Sequence, residues 1–179
     1  MQLDDRTKVI GQIKQQGKSC TKSMDDYYAI LTDDEKRVFL AIAEYAFSLG
    51  YKAKKDKVKA IGYSFTHSKV KKQILRFTSS NGKPILRIKF FASPAYSKFF
   101  QEAIRATIEE YDYKYTGCYG CGECNGTHGY QYQYLDHREY YRCGKELIEI
   151  FDICDMPLGE LLDLLKRQHE FFLSRLSAK

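Results

Sequence analysis

A chain of 179 residues is long enough to bury a core without disulfide staples, and its 44% hydrophobic and 15% aromatic content argues against disorder. No apolar run approaches about 18 residues, which excludes a membrane-spanning helix, and the polar start MQLDDRTKVI argues against a secretory signal or transit peptide. The net charge of +6 is concentrated: from Lys52 to Arg76, nine basic residues face the single acid Asp56. Such a block attracts nucleic acid, phosphate or another anion, or else it guards a solvated strand edge. The expectation is one cytoplasmic domain over residues 1–179, where thiols stay reduced and clustered cysteines hold metal.

In chain order, residues 1–31 read as a short helix on Leu3, Val9, Ile10 and Ile13, followed by a polar stretch. The α+β core then runs over 32–179. Thr32 with Glu35 three residues on makes a capping box for a helix that Gly50 ends, with Val38, Phe39, Ile42, Ala46 and Leu49 on its buried face. Strand-like runs follow near 59–66, 72–78 and 84–91. A second helix is expected from Ser93 as N-cap and Pro94 at the first helical position. ELIEIFDI, from Glu146, reads as a strand, and a leucine-rich helix entered past Asp155 and Pro157 closes the chain. The order predicts an antiparallel sheet with helices packed mainly on one face and a cysteine-rich metal-binding loop over 117–154.

The segment ILRFTSSNGKPILRIKF carries a register. With Asn81 and Gly82 at the centre of a two-residue turn, Phe77 opposes Leu86, Leu75 opposes Ile88, and Arg76 opposes Arg87, flanked by Lys72 and Lys89. Like charges directly opposed across strands are destabilising unless water, an acidic side chain or a bound anion compensates. Lys72, Arg76, Arg87 and Lys89 are therefore candidate anion-binding residues, with exposed sheet charges as the plainer alternative.

Cys118, Cys121 and Cys124 form C-x2-C-x2-C with Gly120, Gly122 and Gly126 interspersed. Two thiolates three residues apart converge on one ion when the backbone turns tightly between them. A zinc tetrahedron needs a fourth ligand. Cys143 stands ahead because Gly144 follows it; Cys154, His128 and His137 are the alternates. Zinc is the expected metal. An iron–sulfur cluster is the rival, weakened by the absence of a following Cys-Pro and of a second run.

C-x2-C-x2-C, then Gly144-Lys145-Glu146-Leu147, Cys154 and the entrance Pro157, resembles an uncharacterised bacterial family of small cysteine-rich α/β proteins. The resemblance covers the second half of the chain, implies metal binding and a shared fold, and favours Cys154 as a ligand. More faintly, the helix–meander–helix order is similar to the MmcQ/YjbR group of small α/β proteins.

Tyr111, Tyr113 and Tyr115 alternate, as do Tyr130, Tyr132 and Tyr134, which predicts two strands each with a tyrosine face. Beside a basic stretch such a face stacks nucleic-acid bases, but tyrosine is also a favoured strand residue. His67 and His169 read as ordinary surface residues. No phosphate-binding glycine loop, nucleophile elbow or H-E-x-x-H is present. The sequence thus reads as a zinc-binding, non-enzymatic binding or regulatory module with an anionic or nucleic-acid partner. The alternative is an iron–sulfur redox protein or a metal-dependent enzyme.

Overall fold

The computed structural model describes residues 24–89, 96–122 and 128–177. The helix expected over 3–16, together with Ser93, Pro94 and Cys124, lies outside them. The first described element is a single turn, α1 (Asp25–Tyr28). Its Asp26 accepts hydrogen bonds from the Tyr63 hydroxyl at 2.6 Å and from Lys55 Nζ at 2.5 Å, which ties it to the sheet. α2 (Asp33–Ser48) follows. Thr32 Oγ1 accepts from the Glu35 amide at 3.3 Å, while Glu35 Oε2 accepts from the Thr32 amide at 2.8 Å, so the capping box is formed as its residues predict. Phe39, Ile42, Ala43 and Ala46 are buried, and the Phe39 ring meets Phe77 of the sheet at 4.7 Å.

Five strands make one antiparallel sheet in the order β1-β2-β3-β4-β7: β1 (Lys52–Lys55), β2 (Gly62–Thr66), β3 (Gln73–Ser80), β4 (Lys83–Ile88) and β7 (Ile148–Ile150). The sequence of β1, KAKK, carries no alternating apolar signal, so the strand goes unforeseen. As an edge strand of lysines it discourages pairing with other chains. The β3–β4 turn has Asn81 at φ 51° and Gly82 at φ 77°, both left-handed, as a type I′ hairpin requires. The predicted register holds: Leu75 opposes Ile88, Arg76 opposes Arg87 and Phe77 opposes Leu86.

α3 (Lys98–Glu110) starts after Ser97, whose hydroxyl accepts from the Phe100 amide at 3.5 Å. The cap is therefore Ser97 and not Ser93, a residue of the same capping type placed one helical turn later. β5 (Gly129–Gln133) and β6 (Glu139–Cys143) form a separate two-stranded sheet. A 3-10 turn over Ile153–Asp155 leads into α4 (Leu158–Ser177), which buries Leu161, Leu164, Leu165 and Phe172.

One expected strand is absent. Residues 111–115 form a turn in which Asp112, Tyr113 and Tyr115 adopt φ of 50°, 57° and 57°. A chain leaving a helix C-terminus readily enters the left-handed region to satisfy the last carbonyls, and the Tyr113 amide donates to Ile108 O at 3.0 Å. The alternating tyrosines instead place rings around a corner, with Tyr113 4.8 Å from Tyr140. No helix among the described residues is long and apolar enough to cross a membrane.

Candidate metal centre

The turn after α3 aims the chain at the small sheet. At Gly117 it pairs in parallel with Arg142 of β6, and the Gly117 amide donates to Tyr141 O at 2.6 Å. The residues that follow on each side are Cys118 and Cys143. The bridge therefore brings together the residues that precede the two cysteines, while Gly117, at φ 89°, turns the chain as it enters Cys118. Past it, Gly120 and Gly122 take φ of 59° and 68°, values that strain a residue with a Cβ. Two left-handed glycines around Cys121 curl the backbone back on itself, the bend a C-x2-C-G knuckle needs.

Contacts with later elements hold this loop. The Tyr119 hydroxyl lies 3.1 Å from Glu146 Oε1 and 3.3 Å from Tyr115 O. Burial, with Glu146 beside it, pushes the Tyr119 phenol up to about 12. Gly122 O accepts from Arg175 Nη2 of α4 at 3.2 Å. Cys118 is exposed, Cys121 half-buried, and Cys143 only 2% exposed.

The alternates are placed differently. His128 is buried and stacks on Phe171 of α4 at 4.7 Å with an interplanar angle of 2°. Its Nε2 faces the Gln168 amide, and Gly144 packs so closely that a Cβ there would fall 2.0 Å from Nδ1. The imidazole is thus a packing element, and the glycine after Cys143 makes room for it. His137 lies in the 134–138 turn of the β5–β6 hairpin, at the end opposite the Gly129–Cys143 pair. Cys154 sits in a groove of about 410 Å³ with Asp34, Arg37, Val38 and Leu158. Burial and the nearby Glu35, Asp34 and Asp155 raise its thiol pKa, which disfavours the thiolate a metal requires. Among the described residues, no group of three or more His, Cys, Asp or Glu side chains is arranged to hold a metal ion. Cys124, the third thiol of the motif, is outside them.

The candidate anion surface has its own acids. Arg76 Nε lies 2.8 Å from Asp56 Oδ2, and Arg87 Nη2 lies 2.5 Å from Glu149 Oε1. Asp56 also accepts from Ser64, the cross-strand neighbour of Arg76, at 2.7 Å. Of the three ways to relieve opposed arginines, the fold uses carboxylates. The arginine pair therefore does not need an anion to be stable, and the basic segment from Lys52 to Arg76 is what still speaks for an anion at Lys72, Arg76, Arg87 and Lys89.

Two arrangements escaped the sequence reading. Arg142 is only 2% exposed and lies between Tyr111 and Tyr130, 5.0 and 5.9 Å from their ring centres. Its closest carboxylate in an ion pair is that of Glu146, at 3.9 Å, and Nε and Nη1 lack hydrogen-bond partners among the described residues. An arginine in a polar, tyrosine-rich strand gives no sign of such burial. Nor are His67 and His169 plain surface residues. His169 is 8% exposed with Nδ1 3.3 Å from the Tyr51 hydroxyl, and its ring centre is 5.5 Å from that of His67. His67 Nδ1 accepts from the Lys69 and Val70 amides, each at 3.2 Å. Burial, and then His67, hold the His169 imidazole below its ordinary pKa.

Comparison with family models, curated proteins and solved structures found no match for this chain. The reading of the site therefore rests on the chain's own residues.

Proposed function

We propose that the chain is a zinc-binding α+β protein, a non-enzymatic binding or regulatory module whose metal is held by Cys118, Cys121, Cys124 and Cys143. The observation that supports this reading is the Gly117–Arg142 bridge, which joins the residues immediately before Cys118 and Cys143. The left-handed Gly120 and Gly122 fit the same reading, because a knuckle bends through a backbone conformation that residues with a Cβ rarely adopt. Cys143 is favoured over Cys154, which sits in a separate groove with Asp34, Arg37, Val38 and Leu158. Bound zinc would supply a cross-link between the loop and the small sheet and no reaction chemistry. The residues' own part is to bring four sulfurs together as thiolates, in a site closed to substrate.

Metal analysis of protein purified without added metal tests the proposal, with about one zinc per chain expected. Serine substitutions then assign the fourth ligand. Cys143→Ser should lose zinc to a mild chelator, and Cys154→Ser should retain it. A metal-free protein of full stability overturns the reading. A visible absorption band from anaerobically prepared protein replaces zinc with an iron–sulfur cluster.

A further inference from the structure

We propose that Cys118 and Cys143 are a redox pair, closing to a reversible disulfide when the protein meets a peroxide. The pairing stands on backbone register and holds whether or not a metal is bound. Gly117 and Arg142 are bridged in parallel, with the Gly117 amide 2.6 Å from Tyr141 O. One step along each chain lie Cys118 and Cys143, each bonded directly to a bridged residue. Gly117, at φ 89°, turns the chain at this point, so the two cysteines follow the bridge without forming a further ladder. A disulfide spans Cα separations of about 4.4–6.8 Å, a reach suited to residues that flank one bridge. Cys121 lies beyond the reversal at Gly120, and Cys154 lies beside α2 with Asp34 and Arg37. Among the described cysteines, Cys118 and Cys143 are the pair that register brings together.

Their exposures divide the labour. Cys118 is exposed and accessible to a small oxidant, whereas Cys143 is 2% exposed and shielded from it. The Cys118 thiolate attacks one oxygen of hydrogen peroxide. The O–O bond breaks, hydroxide leaves and takes a proton to become water, and Cys118 becomes a sulfenic acid. The Cys143 sulfur then attacks the Cys118 sulfur. An S–S bond forms, the S–O bond breaks, and the departing hydroxide takes the Cys143 proton as a second water. Two thiols and one peroxide give one disulfide and two waters, the two electrons passing from sulfur to oxygen. A dithiol reductant reverses the step by exchange. Because Cys143 is also a proposed zinc ligand, closure of the pair removes two sulfurs from the metal, and oxidation of the holo protein releases it.

The test treats the protein as purified, and again after chelation, with a small excess of hydrogen peroxide. Remaining thiols are then blocked and the peptides mapped by mass spectrometry without reduction. The expected result is a dominant peptide pair joining Cys118 to Cys143, abolished by dithiothreitol, with Cys154 still free. Cys118→Ser alters an exposed side chain but removes a proposed zinc ligand, so it is compared with chelated native protein of verified fold; it should lose the linked pair. Cys143→Ser should accumulate a sulfenic acid at Cys118 that a dimedone probe traps. A Cys118 link to Cys121 or Cys124 in place of Cys143, or no linkage of Cys118 in either preparation, overturns the proposal. Zinc content is measured on the same samples. Zinc without the disulfide sinks only this inference, and the disulfide without zinc sinks only the zinc reading.

Discussion

Two regions bury arginine in opposite ways. In the five-stranded sheet, Arg76 and Arg87 face each other across a hairpin, and each has a carboxylate within 2.8 Å. In the small sheet beside the cysteine loop, Arg142 is buried more deeply, yet its ion-pair partner is 3.9 Å away and two of its nitrogens lack hydrogen-bond partners among the described residues. A buried ion pair holds because each partner offsets the other's desolvation; a guanidinium between aromatic rings is compensated far less completely. The sheet is finished by its own side chains. The loop end carries a buried guanidinium whose complement is not fully supplied by the residues described.

The sharpest blow to the balanced side is Glu149→Ala. Glu149 is 5% exposed and its loss takes from Arg87 its 2.5 Å ion pair, with Glu110 left nearby, so urea unfolding should show a loss of about 2–3 kcal/mol. A loss under about 1 kcal/mol would mean the sheet charges are solvated after all. On the loop side, Cys121→Ser should reduce zinc from one per chain to none and lower stability by about 2 kcal/mol, because a structural metal contributes to folding free energy. Equal stability of the mutant and the native holo protein would make the loop a passive feature.

The next comparison sets Arg142→Met against Arg76→Met in metal-free protein. Methionine fills the space of the first guanidinium and leaves no strongly paired acid behind, so stability should hold or rise by about 1 kcal/mol. The second substitution strands Asp56 and should destabilise by about 1–2 kcal/mol. Equal losses would dissolve the contrast between the regions. The smallest effect concerns acid. The folded His169 imidazole has a lowered pKa, so the unfolded chain binds the extra proton first. Its contribution is present above the unfolded value of about 6.5 and is lost as pH falls through the lower folded value. His169→Gln should flatten that part of the stability–pH curve, measured by thermal unfolding between pH 7 and pH 5.

The sheet was the more legible region because local rules dictate it. Asn81-Gly82 sets the turn, alternation sets the faces, and together they give the Arg76–Arg87 opposition. Thr32 and Glu35 likewise announce α2 through contacts three residues apart. What the sequence withheld depended on partners distant along the chain. Asp56 and Glu149 reach the arginines from a loop and from the last strand, across 20 and 62 residues, and no short pattern encodes either reach. The C-x2-C spacing marked the knuckle, but the neighbourhood of Cys118 and Cys143 rests on a single parallel bridge that periodicity does not reveal. The tyrosines at 111–115 misled for a related reason: alternation fixes a face only if the chain is extended, and three left-handed residues show that it is not.

Arg175 holds Gly122, and Phe171 and Gln168 hold His128, so Gly122 and His128 are both fastened to one stretch of α4. A helix is a rigid ruler, so the distance between these two residues is set by α4 when the chain folds. Cys121, the neighbour of Gly122, is thereby positioned before any partner arrives, and whatever includes it starts from a pre-organised place. Shortening the helix by its last turn removes Arg175 and should loosen Gly122 and the neighbouring Cys121 while leaving the five-stranded sheet intact.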